Sequence, residues 1–397
     1  MKILITTGIY PPDIGGPARM IEKMAEELSN NNFKIEILTF GDEGLVENGK
    51  YKVFKVSKKK SKISQKIKYA FWLFRLAKKS DLIYTFDLYT AGFFSWLIGK
   101  IILRKKLVVR FAGDSAWEIA NNRGYTSDDI LNFQNKFYGI YIAVIKKFRN
   151  LILRGADKVV CVSEFMGDLA EKIGVAKNKI EVIYNSVEFL DFSNKSKNNL
   201  ISELDLPTES KIIVTAGRLV PWKGVAGLIK SLKIIKNTPI GKNLKLLVIG
   251  DGPELENLKK LAGEEGVLES VHFTGLISLN KVIEYYKLAD VFVLNSNYEG
   301  LSHTLLEVLS LGIPVVASNV GGNPELVENN KNGVLISYND LSAISSAIVR
   351  ILTEEKWKSD EYKKECAKIL EKFTWKNNIE KTINLLKNIY HEQSTFN

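Results

Sequence analysis

The feature that most constrains the fold of this 397-residue chain is a regular alternation of two patterns. Short apolar runs typical of buried strands alternate with segments of helical periodicity, first over residues 1–190 and again over 211–372. Strands and helices in alternation build parallel βαβ units, with helices on both faces of the sheet. The sequence therefore predicts an α/β protein with two Rossmann-like, doubly wound domains that face each other across a cleft.

Between the two alternating regions the pattern breaks. Residues 191–210 read DFSNKSKNNLISELDLPTES, a polar segment rich in Asn, Ser and Lys, which we interpret as a linker. The predicted strands are KILITTG, FKIEILTF, YKVFKV, DLIYTF, KLVVRFAG, DKVVCVS and IEVIYNS before it, and KIIVTAGR, LKLLVIGDG, SVHFTG, DVFVLNS, IPVVAS and GVLIS after it. The last segment, 373–397, has the period of one more amphipathic helix.

Composition excludes several classes of protein. With 45% hydrophobic and 25% charged residues the chain is predicted to be soluble and globular. The N-terminus has no basic leader before a long apolar region, and the apolar stretch from Ala91 is broken by Lys100, short of the ~20 residues a spanning helix needs. Two cysteines, Cys161 and Cys366, and three histidines predict no disulfide framework and no metal site. We expect a cytoplasmic protein.

Positive charge is concentrated in the first half of the chain. Residues 1–190 hold 31 Lys and Arg against 20 Asp and Glu, whereas the rest holds 25 of each. Within Asn48–Ser80 there are 12 basic residues and no acidic one. This excess predicts contact with an anionic membrane surface through the Lys50–Lys79 region, at ~1 kcal/mol per basic side chain. Nucleic acid is the rival partner, but we find no recognition motif for it and predict none.

The same region contains a predicted amphipathic helix, Ile63–Lys79. Four apolar residues, Ile63, Ile67, Phe71 and Phe74, fall on one helical stripe. A helix of this kind usually packs its apolar stripe on a sheet and solvates its other face. We therefore expect this stripe to be buried, with the lysines outside.

The motif TAGRLVPWKG places Arg218 and Lys223 in a loop that follows a strand. Ligands in doubly wound sheets bind at the carboxyl ends of strands. A guanidinium fork and a compact ammonium suit a diphosphate group. From this motif alone, a solvated surface pair is an equally good interpretation.

Two glycine turns follow later strands. In LLVIGDGPELENL, Gly250 and Gly252 permit a close backbone approach, and Pro253 suits the first position of a helix whose amides could face an anion. In SNVGGNPELV, a glycine pair precedes a short helix that begins near Pro324. A purely structural turn would explain each motif as well.

The segment NSNYEGLSHTLLEVLS contains two carboxylates eight positions apart. Glu299 lies on a loop, Ser302 or His303 begins a helix that continues to Ser310, and Glu307 lies about one turn inside it. Amides at this helix start could bind phosphate oxygens. Because a carboxylate beside phosphate is repelled, we interpret both glutamates as acceptors of hydrogen bonds from hydroxyl groups that flank the phosphates.

Two loops of the first half are further candidates. Gly15 and Gly16, in TTGIYPPDIGGPARM, would let the backbone come close to a substrate, although a structural loop is a serious alternative. Asp114, in RFAGDSAWE, follows a strand and could project toward a substrate. Most aspartates in this position cap the next helix, and capping is the favoured interpretation.

Taken together, the motifs resemble those of the family-four retaining glycosyltransferases (glycosyl transferases group 1), which have the GT-B fold. The matching segments are GRLVPWKG, GDGPE, VHFTG, the two glutamates of EGLSHTLLE, GIPVVAS and GGNPELV, with YPPDIGGPAR and CVSEF in the first half. The resemblance covers nearly the whole chain. It implies an acceptor-binding domain at 1–190, a nucleotide-sugar-binding domain at 211–372, and a C-terminal helix, 373–397, that crosses back to the first domain.

The resemblance also implies roles for single residues. Arg218 and Lys223 would hold the donor diphosphate, Glu299 the sugar hydroxyls and Glu307 the ribose hydroxyls. Many members of the family carry a histidine near the reacting carbon in the first domain, whereas every histidine here follows residue 271. We assign that place to Asp114, as a group that orients a hydroxyl or stabilises positive charge. His303 stands where the family commonly has a small or apolar residue, and we expect contact through its amide.

These inferences give a predicted function and site. The function is retaining transfer of a sugar from a nucleotide-diphosphate sugar to a saccharide or lipid-linked saccharide, in cell-surface polysaccharide biosynthesis. The alternatives are a GT-B nucleotide-sugar epimerase or hydrolase, and a non-catalytic sugar-nucleotide-binding protein. No cofactor is predicted, and no metal, since no Asp-x-Asp pair occurs. No motif indicates an oligomeric state. The predicted catalytic residues are Asp114, Arg218, Lys223 and Glu299. The predicted donor site comprises Gly15, Gly16, Arg218, Lys223, Gly250, Gly252, Glu299, Gly300, Leu301, Ser302, His303, Thr304 and Glu307.

Overall fold

The computed structural model describes residues 1–13, 16–47, 49–186, 197–204, 207 and 209–394. The chain divides into two compact units: unit 1 is Met1–Tyr184 with Lys376–Asn397, and unit 2 is Asn185–Trp375. The domain boundaries predicted at 190 and 211 stay predictions. Of the predicted linker, 191–196, 205, 206 and 208 lie outside the described residues, while Lys197–Glu203 form a helix.

Unit 1 is built on one eight-stranded sheet. Its strands are β1 (Lys2–Thr6), β2 (Lys34–Gly41), β3 (Gly44–Glu47), β4 (Lys52–Ser57), β5 (Leu82–Thr85), β6 (Lys106–Phe111), β7 (Lys158–Cys161) and β8 (Ile180–Val182). Their order is β3-β4-β2-β1-β5-β6-β7-β8, and all neighbours are parallel except β3 and β4. The seven predicted strands are confirmed. The exposed edge strand β3 was not predicted.

The strand order reverses in the middle of this sheet. β1 pairs with β2 on one side and with β5 on the other, so the chain winds outward in both directions from β1. All four residues of β5 are buried, as expected of a parallel strand whose two faces are both covered. The point between β1 and β5 is the switch point of unit 1, where doubly wound sheets bind ligands.

Helices cover this sheet. They are α1 (Gly16–Asn30), α2 (Lys62–Lys78), α3 (Thr90–Phe94), α4 (Ser115–Asn122), α5 (Ile130–Phe133), α6 (Ile140–Gly155) and α7 (Glu164–Ile173), with a π-helical segment, Ser95–Ile102, directly after α3. Each of them has buried apolar residues, as expected where both faces of a parallel sheet are shielded from water.

The predicted burial of the α2 stripe is wrong. Ile63, Ile67, Phe71 and Phe74 are 74%, 65%, 55% and 42% exposed. A different face of the helix packs inward and buries Tyr69, Leu73, Leu76 and Ala77. Since 3.6 residues complete one turn, two faces rich in apolar residues can coexist on one helix, and the sequence pattern does not say which is covered.

Helix α6 has the same arrangement. Its buried residues include Ile142, Ile152 and Leu153. Along the opposite side, five large apolar side chains are exposed: Ile140, Tyr141, Val144, Phe148 and Leu151. Unit 1 therefore presents two exposed apolar helix faces.

Unit 2 contains a second parallel sheet, of six strands. They are β9 (Lys211–Ala216), β10 (Leu244–Ile249), β11 (Val271–Gly275), β12 (Val291–Leu294), β13 (Val315–Ser318) and β14 (Val334–Ile336). The order β11-β10-β9-β12-β13-β14 is that of a Rossmann sheet, and the switch point lies between β9 and β12. All six predicted strands are confirmed.

The helices of unit 2 connect these strands. They are α8 (Lys197–Glu203), α9 (Val225–Lys236), α10 (Leu255–Glu264), α11 (Leu279–Leu288), α12 (His303–Ser310), α13 (Asn323–Leu326), α14 (Leu341–Thr353) and α15 (Asp360–Leu370). The predicted start of α12, with Ser302 as its cap, is confirmed. The predicted helical start at Pro253 is wrong, because Pro253 lies in a turn and α10 begins at Leu255.

The C-terminal helix α16 (Trp375–Ser394) ends the described chain. As predicted, it returns to the first unit: Asn378 Nδ2 donates a hydrogen bond to the Tyr184 carbonyl, and the side chains of Thr382, Leu386 and Ile389 are buried. Among the helices described, none combines the length and the hydropathy that crossing a bilayer requires.

Candidate functional site

Two loops leave neighbouring strands at the switch point of unit 2. Residues 217–224 follow β9, and residues 295–302 follow β12. Because parallel strands end at the same edge of a sheet, these loops lie side by side where a ligand of this fold is expected. Six of the residues predicted from sequence belong to these loops: Arg218, Lys223, Glu299, Gly300, Leu301 and Ser302.

Lys223 and Glu299 form an ion pair across the two loops. Lys223 Nζ lies 2.6 Å from Glu299 Oε1, and Ser296 Oγ donates a second hydrogen bond to the same oxygen at 2.7 Å. The two side chains are 23% and 11% exposed. Within the described part of the chain Oε2 of Glu299 accepts no hydrogen bond, so this oxygen is available to a ligand hydroxyl. Because an ammonium has three N–H donors, Lys223 can retain its ion pair with Glu299 and bind a phosphate oxygen at the same time.

Backbone contacts hold the two loops in register. Asn297 N donates to the Trp222 carbonyl at 2.7 Å, and Asn295 Nδ2 donates to the Gly224 carbonyl at 2.9 Å. Gly224 has φ +63°, and a Cβ there would lie 1.9 Å from the Asn295 carbonyl oxygen. The residues on either side of Lys223 are thus tied to the loop that carries Glu299. Sequence reasoning missed this role of Trp222, Gly224 and Asn295, for which the only signal was a glycine directly after the lysine.

Arg218 lies on the same loop as Lys223. Its side chain is exposed and makes no hydrogen bond or ion pair in the part of the chain that the structure describes. Together with Lys223 and Leu294 it lines one small cavity at the end of β9. The guanidinium of Arg218 and the ammonium of Lys223, at one strand end, form a site that can bind an anion.

The turn that contains Gly250 and Gly252 supports the Arg218 loop. A Cβ on Gly250 would lie 2.1 Å from the Gly217 carbonyl oxygen, and one on Gly252 would lie 2.3 Å from that of Leu219. Leu219 N also donates to the Asp251 carbonyl at 2.9 Å. The structural interpretation of this motif is therefore confirmed. The predicted contact of Gly250 and Gly252 with the donor stays a prediction.

The first turn of α12 follows the Glu299 loop. Ser302 Oγ accepts a hydrogen bond from Leu305 N at 3.2 Å and caps the helix. Gly300, Leu301, His303 and Thr304 surround this start, whose partial positive charge favours an anion. Glu307 lies one turn further along and is half-buried.

The glycine pair after β13 braces this loop. Gly322 N donates to the Glu299 carbonyl at 3.0 Å. Gly321 has φ +57°, and a Cβ there would lie 1.9 Å from the same carbonyl oxygen. The interpretation of the pair as a structural turn is confirmed, and the turn supports the residue that carries the candidate carboxylate.

Asp114 of unit 1 is a buried structural residue. Its side chain accepts hydrogen bonds from Ala116 N at 3.0 Å and from Gln134 Nε2 at 2.9 Å, and it forms an ion pair with Arg149. Both charged side chains are buried, and Asp114 caps α4. The capping interpretation is confirmed. A buried carboxylate that caps a helix and neutralises a buried arginine has a structural role, and the catalytic role predicted for Asp114 stays a prediction.

The switch point of unit 1 contains an aspartate that sequence reasoning missed. Asp87 follows β5 and accepts hydrogen bonds from Tyr89 N at 2.8 Å and Gly92 N at 3.3 Å. Burial raises the pKa of its carboxyl, and these amides oppose the shift. Its signal was its position directly after the buried run LIYTF. Of the predicted glycine pair nearby, Gly16 is the first residue of α1, and Gly15 lies outside the described residues.

This combination of two doubly wound units and a cationic loop pair at a switch point defines a class, the GT-B glycosyltransferases. Two families match the sequence: Glycosyltransferase Family 4 over residues 14–189, and Glycosyl transferases group 1 over 196–372. The two matches together cover most of the chain, which belongs to the glycosyltransferases, as the resemblance predicted.

Individual proteins give the same result. An uncharacterized glycosyltransferase of Methanocaldococcus jannaschii is 28% identical, over 98% of each chain. The UDP-Gal:alpha-D-GlcNAc-diphosphoundecaprenol alpha-1,3-galactosyltransferase of Escherichia coli is 29% identical, over 61% of this chain and 59% of its own. The crystal structure of Anabaena HepE in complex with UDP and glucose aligns with a TM-score of 0.79 over 98% of this chain and 99% of that one, at 19% identity.

Proposed function

We propose that this protein transfers a sugar from a nucleotide-diphosphate sugar to a saccharide or lipid-linked saccharide, with retention of anomeric configuration and without a metal ion. The observation that carries the proposal is the Lys223–Glu299 pair at the switch point of unit 2, beside Arg218, which has no ion pair among the described residues. In one small region it offers cations for a diphosphate and a carboxylate oxygen for a sugar hydroxyl.

The donor diphosphate binds Arg218 and Lys223. When the bond between the anomeric carbon and the phosphate oxygen breaks, the nucleoside diphosphate leaves with the electron pair and gains negative charge. Fixed cations near that charge stabilise the transition state more than the ground state. The amides at the start of α12 add partial positive charge. The oxygen of the acceptor hydroxyl forms a new bond to the anomeric carbon. The proton that this hydroxyl loses neutralises charge on the departing phosphate oxygen.

The two glutamates hold the donor's hydroxyl groups. Oε2 of Glu299 accepts a hydrogen bond from the transferred sugar, since Oε1 is already occupied by Lys223 and Ser296. Glu307, within the first turns of α12, accepts from the ribose. The crystal structures of Anabaena HepE with UDP-glucose and with UDP and glucose support a nucleotide-sugar donor for this fold.

We propose that the reaction needs no metal ion, because Arg218 and Lys223 supply positive charge where a divalent ion would otherwise act. Transfer is expected to be unchanged in excess chelator. Loss of transfer that magnesium or manganese restores would contradict this part of the proposal.

The acceptor is proposed to be membrane-associated, in assembly of a cell-surface glycan on the cytoplasmic side. The excess of basic residues in 48–80 and the exposed apolar face of α2 support peripheral contact with anionic lipid. The E. coli relative, whose name specifies a diphosphoundecaprenol-linked sugar, supports a lipid-linked acceptor.

One experiment tests the central proposal. A thermal-shift panel of nucleoside diphosphates and their sugars identifies the donor. Consumption of that donor is then measured with and without glycan acceptors, and the anomeric configuration of the product is determined by NMR. Consumption that depends on an acceptor supports transfer. Equal consumption without one indicates a hydrolase or epimerase, and binding without consumption indicates a non-catalytic protein.

A further inference from the structure

Unit 1 contains a cavity of about 280 Å³ bounded by α2, α3 and α6. Phe93 and Phe94 of α3, with Ile145 and Phe148 of α6, make most of its wall apolar. The rings of Phe93 and Phe148 meet edge to face, with centroids 5.3 Å apart. Small-molecule sites are apolar concavities of ~300–1,000 Å³. This cavity lies just below that range and suits one hydrocarbon chain segment better than two.

One cation at this cavity is available to a ligand. Lys66 of α2 lines the cavity, is exposed, and has no ion pair or hydrogen bond among the described residues. The other cationic side chain in the wall, Arg149, is committed to Asp114. Lys68, on the same helix, is paired with Glu43 at 2.5 Å. The charge of Lys66 therefore complements an anionic group attached to an apolar occupant.

The surface on both sides of the cavity is apolar. Ile63 and Ile67 of α2 and Val144 of α6 are exposed, and Phe148 belongs both to the exposed face of α6 and to the cavity wall. Several large apolar side chains exposed on the helices that bound one cavity favour an interaction site there. Because α2 also carries the exposed Lys62 and Lys66 beside its exposed apolar residues, the medium that complements both the apolar and the charged parts is an anionic lipid layer.

Polar side chains connect the cavity to the edge of the sheet. Tyr89 and Thr90 follow β5, and Ser115 follows β6; all three line the cavity. Burial raises the pKa of Tyr89 to about 12, so its hydroxyl stays protonated and can donate a hydrogen bond. The carboxyl edge of a doubly wound sheet is where polar ligands bind. The cavity thus combines hydroxyl groups, one unpaired cation and an apolar wall.

We propose that this cavity binds a single-chain lipid phosphate, with its first hydrocarbon units against Phe93, Ile145 and Phe148 and its phosphate on Lys66. This lipid is the carrier of the acceptor saccharide, and that assignment rests on the proposed function. The binding site itself does not depend on glycosyl transfer.

The probe is geranyl phosphate, a soluble lipid phosphate with one ten-carbon chain. Its binding to the full chain is measured by calorimetry without any sugar nucleotide. Geraniol tests the chain alone, inorganic phosphate tests the head group alone, and dihexanoyl phosphatidic acid tests a two-chain lipid. We expect saturable binding of geranyl phosphate that is at least about tenfold tighter than that of each other compound, since a charged hydrogen bond contributes ~1.5–3 kcal/mol. Equal affinity for phosphatidic acid or for phosphate would overturn the proposal.

Two matched pairs of variants locate the site. Lys66→Glu should weaken geranyl phosphate at least about tenfold, whereas Lys62→Glu, one turn away and outside the cavity wall, makes the same charge change and should have little effect. Ile145→Trp fills the cavity and should abolish binding, whereas Val144→Trp adds the same bulk on the exposed face and should not. Equal losses within either pair would overturn the proposal.

A second measurement separates a local effect from misfolding and from failure of the proposed function. The nucleoside diphosphate identified for the wild-type protein should bind Ile145→Trp with unchanged affinity, because that residue belongs to unit 1. If no transfer to any acceptor is found, the proposed function fails, yet geranyl phosphate binding and its loss in the variants still decide the cavity assignment.

Discussion

Lys223 Nζ and Glu299 Oε1 lie 2.6 Å apart, although 76 positions separate the two residues in the chain. They meet because β9 and β12 are neighbours in the sheet while α9, β10, α10, β11 and α11 lie between them in sequence. Their ion pair spans the switch point of unit 2. The proposed function assigns this cation and this carboxylate to a sugar diphosphate, so the integrity of the pair is the first test of the site.

Replacing either member of this pair should abolish transfer. Lys223→Ala and Glu299→Ala are each expected to lower kcat at least about 10²–10³-fold, the effect of removing one group that stabilises transition-state charge. The control is Lys233→Ala, which removes a lysine paired with Glu265 at 2.9 Å on the surface of the same unit. Steady-state turnover measures all three. Unchanged turnover in both site variants would contradict the assignment.

Replacement of Gly224 by alanine is expected to impair the site, whereas the same replacement at Gly266, which has a similar φ, is expected to be tolerated. Gly224→Ala places a Cβ 1.9 Å from the Asn295 carbonyl oxygen, which should separate the two loops and weaken binding of the donor. Gly266→Ala has a similar φ, +69° against +63°, but no atom within 4 Å of the new Cβ. The control therefore carries only backbone strain, of order 1 kcal/mol. Comparable donor affinity in the two variants would argue against the loop contact.

Asp114→Asn should affect stability and leave the chemistry intact. The change leaves the buried Arg149 without its counter-ion, and breaking a buried pair in this way costs about 3–5 kcal/mol. Asp129→Asn, at the exposed cap of α5, is the control, with an expected cost of about 1 kcal/mol or less. Urea unfolding measures both. If the folded Asp114→Asn protein instead shows wild-type stability and a large loss of kcat, the original catalytic prediction for Asp114 is correct.

Lys146 should make stability depend on pH above neutrality. Burial, reinforced by the neighbouring Arg149, lowers the pKa of Lys146 to about 8, while Asp114 acts in the opposite sense. An unfolded lysine keeps its proton up to about pH 10.4. Between about pH 8 and 10.4 the unfolded state therefore binds more protons, and the contribution of Lys146 to the free energy of unfolding rises with pH.

The measurement is the difference in unfolding free energy between the wild type and Lys146→Met across this window. The free energy of unfolding of the wild type should increase relative to that of Lys146→Met as pH rises. Lys147→Met, the exposed neighbour, provides the control. A constant difference between the wild type and Lys146→Met from pH 7 to 10.4 would contradict the buried-ammonium explanation.

The exposed face of α2 should bind anionic membranes. Co-sedimentation is expected with vesicles that contain anionic lipid, and much less with neutral ones, because both apolar insertion and basic charge contribute. Ile67→Gln with Phe71→Gln should weaken binding at least about tenfold, since each buried apolar side chain contributes ~1.5–3 kcal/mol. Leu268→Gln with Leu276→Gln removes two exposed apolar residues of unit 2 and is the control. Equal, weak binding to both kinds of vesicle would exclude the membrane role.

Much of the fold could be predicted because local pattern decides it. A short apolar run such as LIYT favours a strand that is covered on both faces, as in a parallel sheet, and the thirteen strands predicted from their sequence patterns are all present. The start of α12, predicted at Ser302 or His303, is at His303, with Ser302 as its cap. Arg218, Lys223 and Glu299 were found because polar residues directly after buried strands fall at the edge where this fold binds ligands.

What the sequence by itself determined is therefore the set of strands, their parallel architecture and the loops that carry the candidate chemistry. Only the tertiary structure decided which charges are used and which apolar faces are covered. Asp114 and Glu299 are both acidic residues that follow a strand. Asp114 is buried in an ion pair with Arg149, whereas Glu299 keeps one oxygen without a hydrogen bond among the described residues. Likewise, α2 has two apolar faces. Packing covers the face that contains Tyr69 and leaves the face that contains Ile67 in solvent. The physical reason is that burial and ion pairing depend on neighbours distant in the chain, which no local pattern specifies.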